Sequence, residues 1–175
     1  MPNVQRRTPE LEYGQLVCVI VSNMINSADV SSIDAIINAA YDGISGPAGK
    51  KRDWDRERSL YLPNARLIPT AMEAGAKDGR LAPQFLDVDA FIARLEPYFQ
   101  ENGFYEKEIA RRVEQVGQIA HVWSTYESRH REDDPEPFMR GINSIQLFHD
   151  GTRWWIVNIY WQHESTESPI PAKYL

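Results

Sequence analysis

The sequence predicts an α+β fold in which about three helices pack on the concave face of a strongly curved antiparallel sheet. Three observations support this fold class. Apolar residues recur at helical spacing in the first half of the chain, and after Gly103 the period changes from 3.6 to 2. Helices and strands segregated in this way are typical of α+β proteins. The alternating segments are long, about 11–14 residues, and strands of that length coil and curve the sheet.

Three segments of the first half predict helices. The segment 31–44 carries one continuous apolar face, and a capping box begins at Ser31. The segment 53–58 predicts a short second helix. Asp87 is the expected N-cap of the third, which Pro97 is expected to kink or end.

The second half predicts a four-strand antiparallel meander. Its alternating segments are 104–116, 118–131, 138–149 and 153–163, and the Asp150-Gly151 pair predicts a hairpin between the last two. Upstream of them, 60–62 and 66–68 predict either a short strand pair around a turn or the entry to a strand. The main domain is therefore expected at 31–164.

The two ends of the chain are expected to lie outside that domain. Residues 1–30 form an N-terminal extension, and the short apolar run 16–21 is interpreted as a degenerate or absent secretory signal. Residues 165–175 contain two prolines and are expected to be an extended tail. We therefore expect a cytoplasmic protein, with export as the alternative if the apolar run is a remnant of a signal.

Composition excludes several classes of protein. Nineteen Lys and Arg residues against 25 Asp and Glu residues give a net charge of −6, which argues against nucleic acid as a partner. No apolar run approaches the roughly 20 residues that cross a membrane. A single cysteine, Cys18, and four histidines without ligand spacing predict neither a disulfide framework nor a metal site, and no cofactor motif is present.

The order of the elements resembles the nuclear transport factor 2-like superfamily and, within it, the SnoaL-like branch. The resemblance covers about residues 31–164 and rests on the stretches 33–44, 54–67, 119–127, 140–145 and 150–157. It implies a cone-shaped, cystatin-like fold. The superfamily includes isomerases, dehydratases, cyclases, hydrolases and binding proteins, so the fold does not carry a function. Steroid isomerases of this fold place a catalytic Asp after the first short strand, but 65–69 here contains no acid.

His121 is the predicted catalytic residue, because a histidine in the middle of a strand can exchange protons near neutral pH if it faces a cavity. The expected pocket lies between the sheet and the first and third helices. Its predicted ligand-binding residues are Tyr41, Trp54, Trp123, Asn143 and Trp161. A satisfied structural histidine at position 121 is the competing interpretation.

Other groups admit both a functional and a structural interpretation. Glu106 and Glu108 share one face of a strand and can divide acid and base roles or form ion pairs. Arg140 can hold a substrate carboxylate or pair with Glu127 or Asp133. Strict alternation of the last strand puts residues 155, 157, 159, 161 and 163 on one face.

Two functional hypotheses remain open. The first is a pocket for a small hydrophobic or aromatic molecule, with acid–base catalysis by His121 and no cofactor if the protein is an enzyme. The second is a non-catalytic dimeric module whose cavity is filled by its own side chains and whose sheet binds a second copy. A cavity of roughly 300 Å³ or more near His121 would favour the first hypothesis.

Overall fold

The computed structural model describes residues 26–72 and 79–175, with the backbone alone at residue 72. Its helices are α1 (Ile33–Ile44), α2 (Trp54–Arg58) and α3 (Val88–Glu101), and its strands are β1 (Tyr61–Met72), β2 (Leu81–Pro83), β3 (Tyr105–Val116), β4 (Ile119–Arg129), β5 (Met139–His149) and β6 (Trp154–His163). Short 3-10 helices lie at Ser27–Val30 and Ala172–Tyr174. The predicted α+β class, with three helices and four long strands, is confirmed.

One six-stranded sheet runs in the order β2-β1-β6-β5-β4-β3. The strands β3 to β6 form the predicted antiparallel meander, whereas β1 runs parallel to β6. Of the two alternatives for 60–62 and 66–68, the strand pair is wrong, because both segments belong to the single strand β1. The pairing of β1 with β6 is interrupted between Tyr61 and Arg66, where Pro63 has no N–H to donate to the ladder.

The helices begin and end close to their predicted positions. The N-cap of α1 is Ser32 rather than Ser31, and its hydroxyl accepts the N–H of Ala35 at 3.0 Å. Helix α3 continues for one more turn beyond Pro97. The proline ring of Pro97 is tolerated because Ala93 and Pro97 both lie on the exposed face of the helix. Water can there donate a hydrogen bond to the Ala93 carbonyl, which receives none from Pro97.

The helices pack on the concave face of the sheet, and the core lies between the helices and the sheet. Ile36 and Ile37 of α1 are fully buried against Val122, Leu147 and Ile156 of the sheet. The outer face of the sheet carries the side chains that alternate with these.

Two bulges decide which side chains face inward. On β3 the register shifts between Glu108 and Ala110, and on β6 the shift falls at Val157, opposite Gln146 and Leu147. The predicted single face of β6 is therefore wrong. Ile159, Trp161 and His163 face inward with Trp154 and Ile156, because one unpaired residue reverses the phase of the alternation.

The two ends of the described chain both contact the domain. Val30 is buried in the core, although it was expected to belong to the N-terminal extension, while the apolar run 16–21 lies outside the described residues. The tail folds back over the outer face, where the Thr125 hydroxyl donates to the carbonyl oxygen of Tyr174 at 2.6 Å. No helix in the described ranges has the length and apolar character needed to cross a membrane.

Candidate functional site

A cavity of about 120 Å³ lies between the concave face of the sheet and the helices. Most of its wall is apolar or aromatic. It is lined by Ile37, Ala40, Tyr41, Ile44, Glu57, Tyr61, Leu67, Phe91, Leu95, Phe104, Glu106, Tyr126, Met139, Asn143, Ile145, Ile159, Trp161 and His163. Two carboxyl groups in such a wall are unusual, since burying a charge without a partner is unfavourable.

Tyr41 of α1 fixes one side of the cavity through a chain of hydrogen bonds. Asn143 donates to the Tyr41 hydroxyl at 3.0 Å, and that hydroxyl lies 2.6 Å from Ser124 Oγ. Ser124 in turn donates to Glu108, which Arg111 binds at 2.6 Å. Burial raises the pKa of Tyr41, so its hydroxyl stays protonated and donates along this chain.

Glu106 faces the cavity from β3. Its Oε2 accepts the hydroxyl of Ser128 at 2.9 Å, and it forms no ion pair with any residue that the structure describes. Burial raises the pKa of Glu106 to about 7, and the bond from Ser128 offsets only part of this rise. A carboxyl group with that pKa can both accept and return a proton near neutral pH.

Glu57 of α2 is the second carboxyl group of the wall and is 1% exposed. Its Oε1 accepts the hydroxyl of Tyr61 at 2.9 Å, and its Oε2 has no hydrogen-bond partner among the described residues. Burial raises the pKa of Glu57 to about 8, against the smaller opposing effects of Tyr61 and Arg56. Oε2 lies close to Gly43 of α1, where any side chain would collide with it.

A row of three paired residues forms the side of the cavity near β6. Tyr126 pairs with Gly141, and Gly141 pairs with His163. Because Gly141 has no side chain, the Tyr126 hydroxyl reaches across it to His163 Nδ1 at 3.1 Å. His163 is partly open to solvent, and the desolvation of its ring lowers its pKa. It therefore marks the mouth of the cavity.

Three of the predicted ligand-binding residues line this cavity: Tyr41, Asn143 and Trp161. Trp54 does not line it, because its ring stacks on Phe99 of α3 with the centroids 6.1 Å apart. Whether any of these side chains contacts a ligand stays a prediction.

His121 and Trp123 lie on the opposite face of the sheet, so their expected place in the pocket is corrected. Their neighbours Ala120, Val122 and Ser124 are the inward residues of β4. His121 Nε2 lies 3.0 Å from Ser144 Oγ, and the ring of Trp123 contacts Tyr174 of the tail. The criterion that would favour the pocket hypothesis, a cavity of roughly 300 Å³ or more near His121, is not met, because the cavity measures about 120 Å³ and His121 does not line it.

The structure also places the other charged groups that the sequence singled out, Glu106, Glu108 and Arg140. Glu106 and Glu108 share the inward face as expected, but only Glu106 lines the cavity. Arg140 pairs with Glu164 at 2.6 Å rather than with Glu127 or Asp133.

Glu57, Tyr61, Tyr126 and His163 were missed as site residues. Glu57 sits among charged residues in a five-residue helix, so nothing in the sequence distinguishes it from a solvated side chain. His163 was placed correctly with Trp161, but the bulge that turns both inward has no sequence signal. No cluster of three or more His, Cys, Asp or Glu side chains with metal-binding geometry is found in 26–72 or 79–175.

No protein-family model and no curated protein matches the sequence. Solved structures share the fold, among them the following three with TM-scores above 0.5. A nuclear transport factor 2-like protein of unknown function from Pseudomonas putida has 16% identity and a TM-score of 0.57, over 78% of this chain and 88% of that chain. A cystatin-like protein of unknown function from Nostoc punctiforme has 9% identity and a TM-score of 0.56, over 77% and 90%.

The third is the beta subunit of a putative aromatic-ring-hydroxylating dioxygenase from Novosphingobium aromaticivorans. It has 13% identity and a TM-score of 0.55, over 80% of this chain and 95% of that chain. The chain therefore has the nuclear transport factor 2-like fold. At these identities the likeness concerns the fold alone.

Proposed function

We propose that the protein binds a small, largely apolar molecule of about single-ring size in the cavity, and that Glu106 transfers protons to and from it without a cofactor. The observation that carries this proposal is that Glu106 lies in a wall of aromatic and aliphatic side chains and forms no ion pair with a described residue. A carboxyl group in an apolar cavity is the arrangement that tunes acid–base groups to neutral pH. We also place the chain in the SnoaL-like branch, on the motifs given above.

The size of the cavity limits the ligand. Its volume of about 120 Å³ lies below that of pockets for drug-sized molecules. It is close to the about 150 Å³ of an engineered apolar cavity that accepts benzene. A single five- or six-membered ring is therefore the expected ligand, and larger molecules require the mouth near His163 to open.

Binding is tested by titrating the protein with cyclopentanol and benzene and by recording ligand-detected NMR. The variant Ala40→Leu adds a large side chain to the cavity wall, and we expect it to abolish binding. Ala93→Leu is the matched control, because Ala93 is exposed on α3 and its replacement leaves the cavity unchanged. Equal binding by the wild type and Ala40→Leu would place the ligand elsewhere and reject the proposal.

Catalysis is tested with cyclopentanone in D2O, a ketone of the same size. The Glu106 carboxylate would take an α-proton, the ketone oxygen would gain charge, and a deuteron would return to the carbon. We expect exchange above the uncatalysed rate for the wild type and at least tenfold less for Glu106→Gln, which keeps the shape and removes the base. Unchanged exchange in Glu106→Gln would exclude Glu106 as the proton carrier.

A dimer formed through the outer face of the sheet is a second proposal, and it needs no ligand. Val116 and Ile119 are 78% and 62% exposed on that face, and Tyr160 is 41% exposed. Native mass spectrometry reads the subunit count and any retained ligand together. We expect twice the chain mass of 20.1 kDa, and a monomer for Ile119→Asp. A wild-type monomer at micromolar concentration would reject the dimer and leave the cavity proposal in place.

A further inference from the structure

The charged groups of the cavity wall are all acidic apart from one histidine at its mouth. Glu57 and Glu106 are the carboxyl groups, and His163 is the single basic side chain. Neither Lys nor Arg is found among the described residues that line the space. The other polar groups are the hydroxyls of three tyrosines and the amide of Asn143. An anionic ligand would meet two carboxyl groups and no fixed positive charge.

Glu57 supplies the observation that points to a missing partner. Its carboxyl group is buried, and Tyr61 satisfies only Oε1. Oε2 has no partner among the described residues. An unsatisfied buried carboxyl oxygen is unfavourable, and hydrogen bonds from a charged N–H group are the strongest that a carboxylate accepts.

The aromatic part of the wall suits the same kind of ligand. Six aromatic side chains line the cavity: Tyr41, Tyr61, Phe91, Phe104, Tyr126 and Trp161. The faces of aromatic rings carry partial negative charge and attract ammonium groups, most strongly where water is excluded. The carboxyl groups and the ring faces therefore select the same sign of charge.

We propose that the cavity binds a small organic cation, an alkyl or aryl ammonium ion of about single-ring size, with Glu57 and Glu106 as its counterions. This inference rests on the proposed function and names the substrate class of the same site. It assigns Glu57 the part of a binding residue and keeps Glu106 ionised while the ligand is bound.

Cation binding is expected to release protons. Without ligand, Glu57 and Glu106 retain protons near neutral pH because their pKa values are about 8 and about 7. Besides His163, the titratable groups that face them in the cavity or beside it are Tyr41, Tyr61, Tyr126, Asp42 and Arg56. A neighbouring surface pocket that Glu106 also lines adds Lys107, Glu108, Arg129 and Glu132. The three tyrosines have pKa values raised by burial and stay neutral, so the carboxyl groups account for the release.

The test compares three probes of similar size by isothermal titration calorimetry: cyclopentylammonium, cyclopentanol and cyclopentanecarboxylate. An alkyl ammonium keeps its charge to about pH 10, like lysine. At about pH 8, we expect cyclopentylammonium to bind at least tenfold more tightly than cyclopentanol and the carboxylate to bind least. Titrations in two buffers of different ionisation enthalpy should show proton release for the ammonium alone.

Two variants locate the counterions. Glu57→Gln and Glu106→Gln should each reduce the preference for cyclopentylammonium over cyclopentanol about tenfold. Glu136→Gln removes the same charge from an exposed loop and is the matched control. Circular dichroism of each variant checks that the fold persists, and the binding of cyclopentanol provides a second check.

The outcomes separate this inference from the function on which it rests. If cyclopentanol binds as tightly as cyclopentylammonium, the cation site is rejected and the apolar pocket remains. If the carboxylate binds most tightly, the cation site is also rejected, and His163 becomes the group to study. If no probe binds, the proposed function itself fails.

Discussion

Two carboxylates of the outer face, Glu127 and Glu164, have cationic partners, whereas the two that line the cavity form no ion pair with a described residue. Glu127 pairs with Arg129, and Glu164 at the end of β6 pairs with Arg140. Glu106 accepts one hydroxyl, and Glu57 leaves one oxygen without a partner among the described residues. A fold loses stability where buried acids are unpaired, and such places are where binding and catalysis are concentrated. The difference between the faces therefore locates function on the concave side.

Among the single substitutions, the largest expected effect comes from Gly141→Ala on the concave side. A Cβ there would lie 2.6 Å from Tyr126 Cζ and 2.8 Å from the carbonyl oxygen of Gln162. We expect a loss of about 2–3 kcal/mol in the free energy of unfolding, because overpacking a core forces both groups to move. Urea denaturation of the wild type and of Gly141→Ala measures this difference in the free energy of unfolding.

Ser144→Thr is the matched substitution, since it adds one methyl group to the outer side of the same strand. We expect it to change stability by less than about 1 kcal/mol. Equal losses for the two variants would show that the faces are packed alike.

The pH dependence of stability is expected to be at least as large, because two carboxyl groups contribute to it. The pKa values of Glu57 and Glu106 are raised on folding from 4.5 to about 8 and about 7. The folded state therefore binds more protons than the unfolded chain in this interval, and stability falls as pH rises from about 5 to about 8. For Glu106 the loss is at most about 3 kcal/mol.

Urea denaturation at several pH values tests this in the wild type and in Glu106→Gln. The variant has no carboxyl group to ionise, so its stability should fall less steeply over the same interval. Glu136→Gln, in the exposed loop, should keep the wild-type slope. Parallel curves for the wild type and Glu106→Gln would contradict the raised pKa.

A smaller effect is expected from Tyr41→Phe. The substitution removes the hydroxyl that accepts from Asn143 and bonds Ser124, and both partners are buried. Unfolding free energy should fall by about 1–3 kcal/mol, because Asn143 is left without an acceptor. Tyr160→Phe removes a hydroxyl from the outer face and should cost less than about 0.5 kcal/mol. If Tyr160→Phe costs as much as Tyr41→Phe, the hydrogen-bond chain does not hold α1.

The sequence predicts the regular helices and strands of this molecule well. It fails where one extra residue in a strand reverses the alternation of inward and outward side chains. The helical stripe of α1 and the lengths of β3 to β6 follow from periodicity, because burial of one face imposes that period. Alternation divides β4 correctly into two faces but does not say which faces the helices. The bulge at Val157 and the burial of Glu57 depend on packing between distant segments, so neither leaves a local pattern.

His121→Asn is expected to have the smallest effect and bears directly on the comparison of the two faces. It disturbs the contact with Ser144 at 3.0 Å and the ring contact with Trp123, both on the outer face. We expect a loss below about 1 kcal/mol and unchanged binding of cyclopentanol and cyclopentylammonium, since the sheet separates His121 from the cavity. Calorimetry of the variant measures both quantities. If His121→Asn loses ligand binding or turnover, the proton-carrying role returns to the outer face. A side chain on that face can act on a ligand only if the ligand binds beside it.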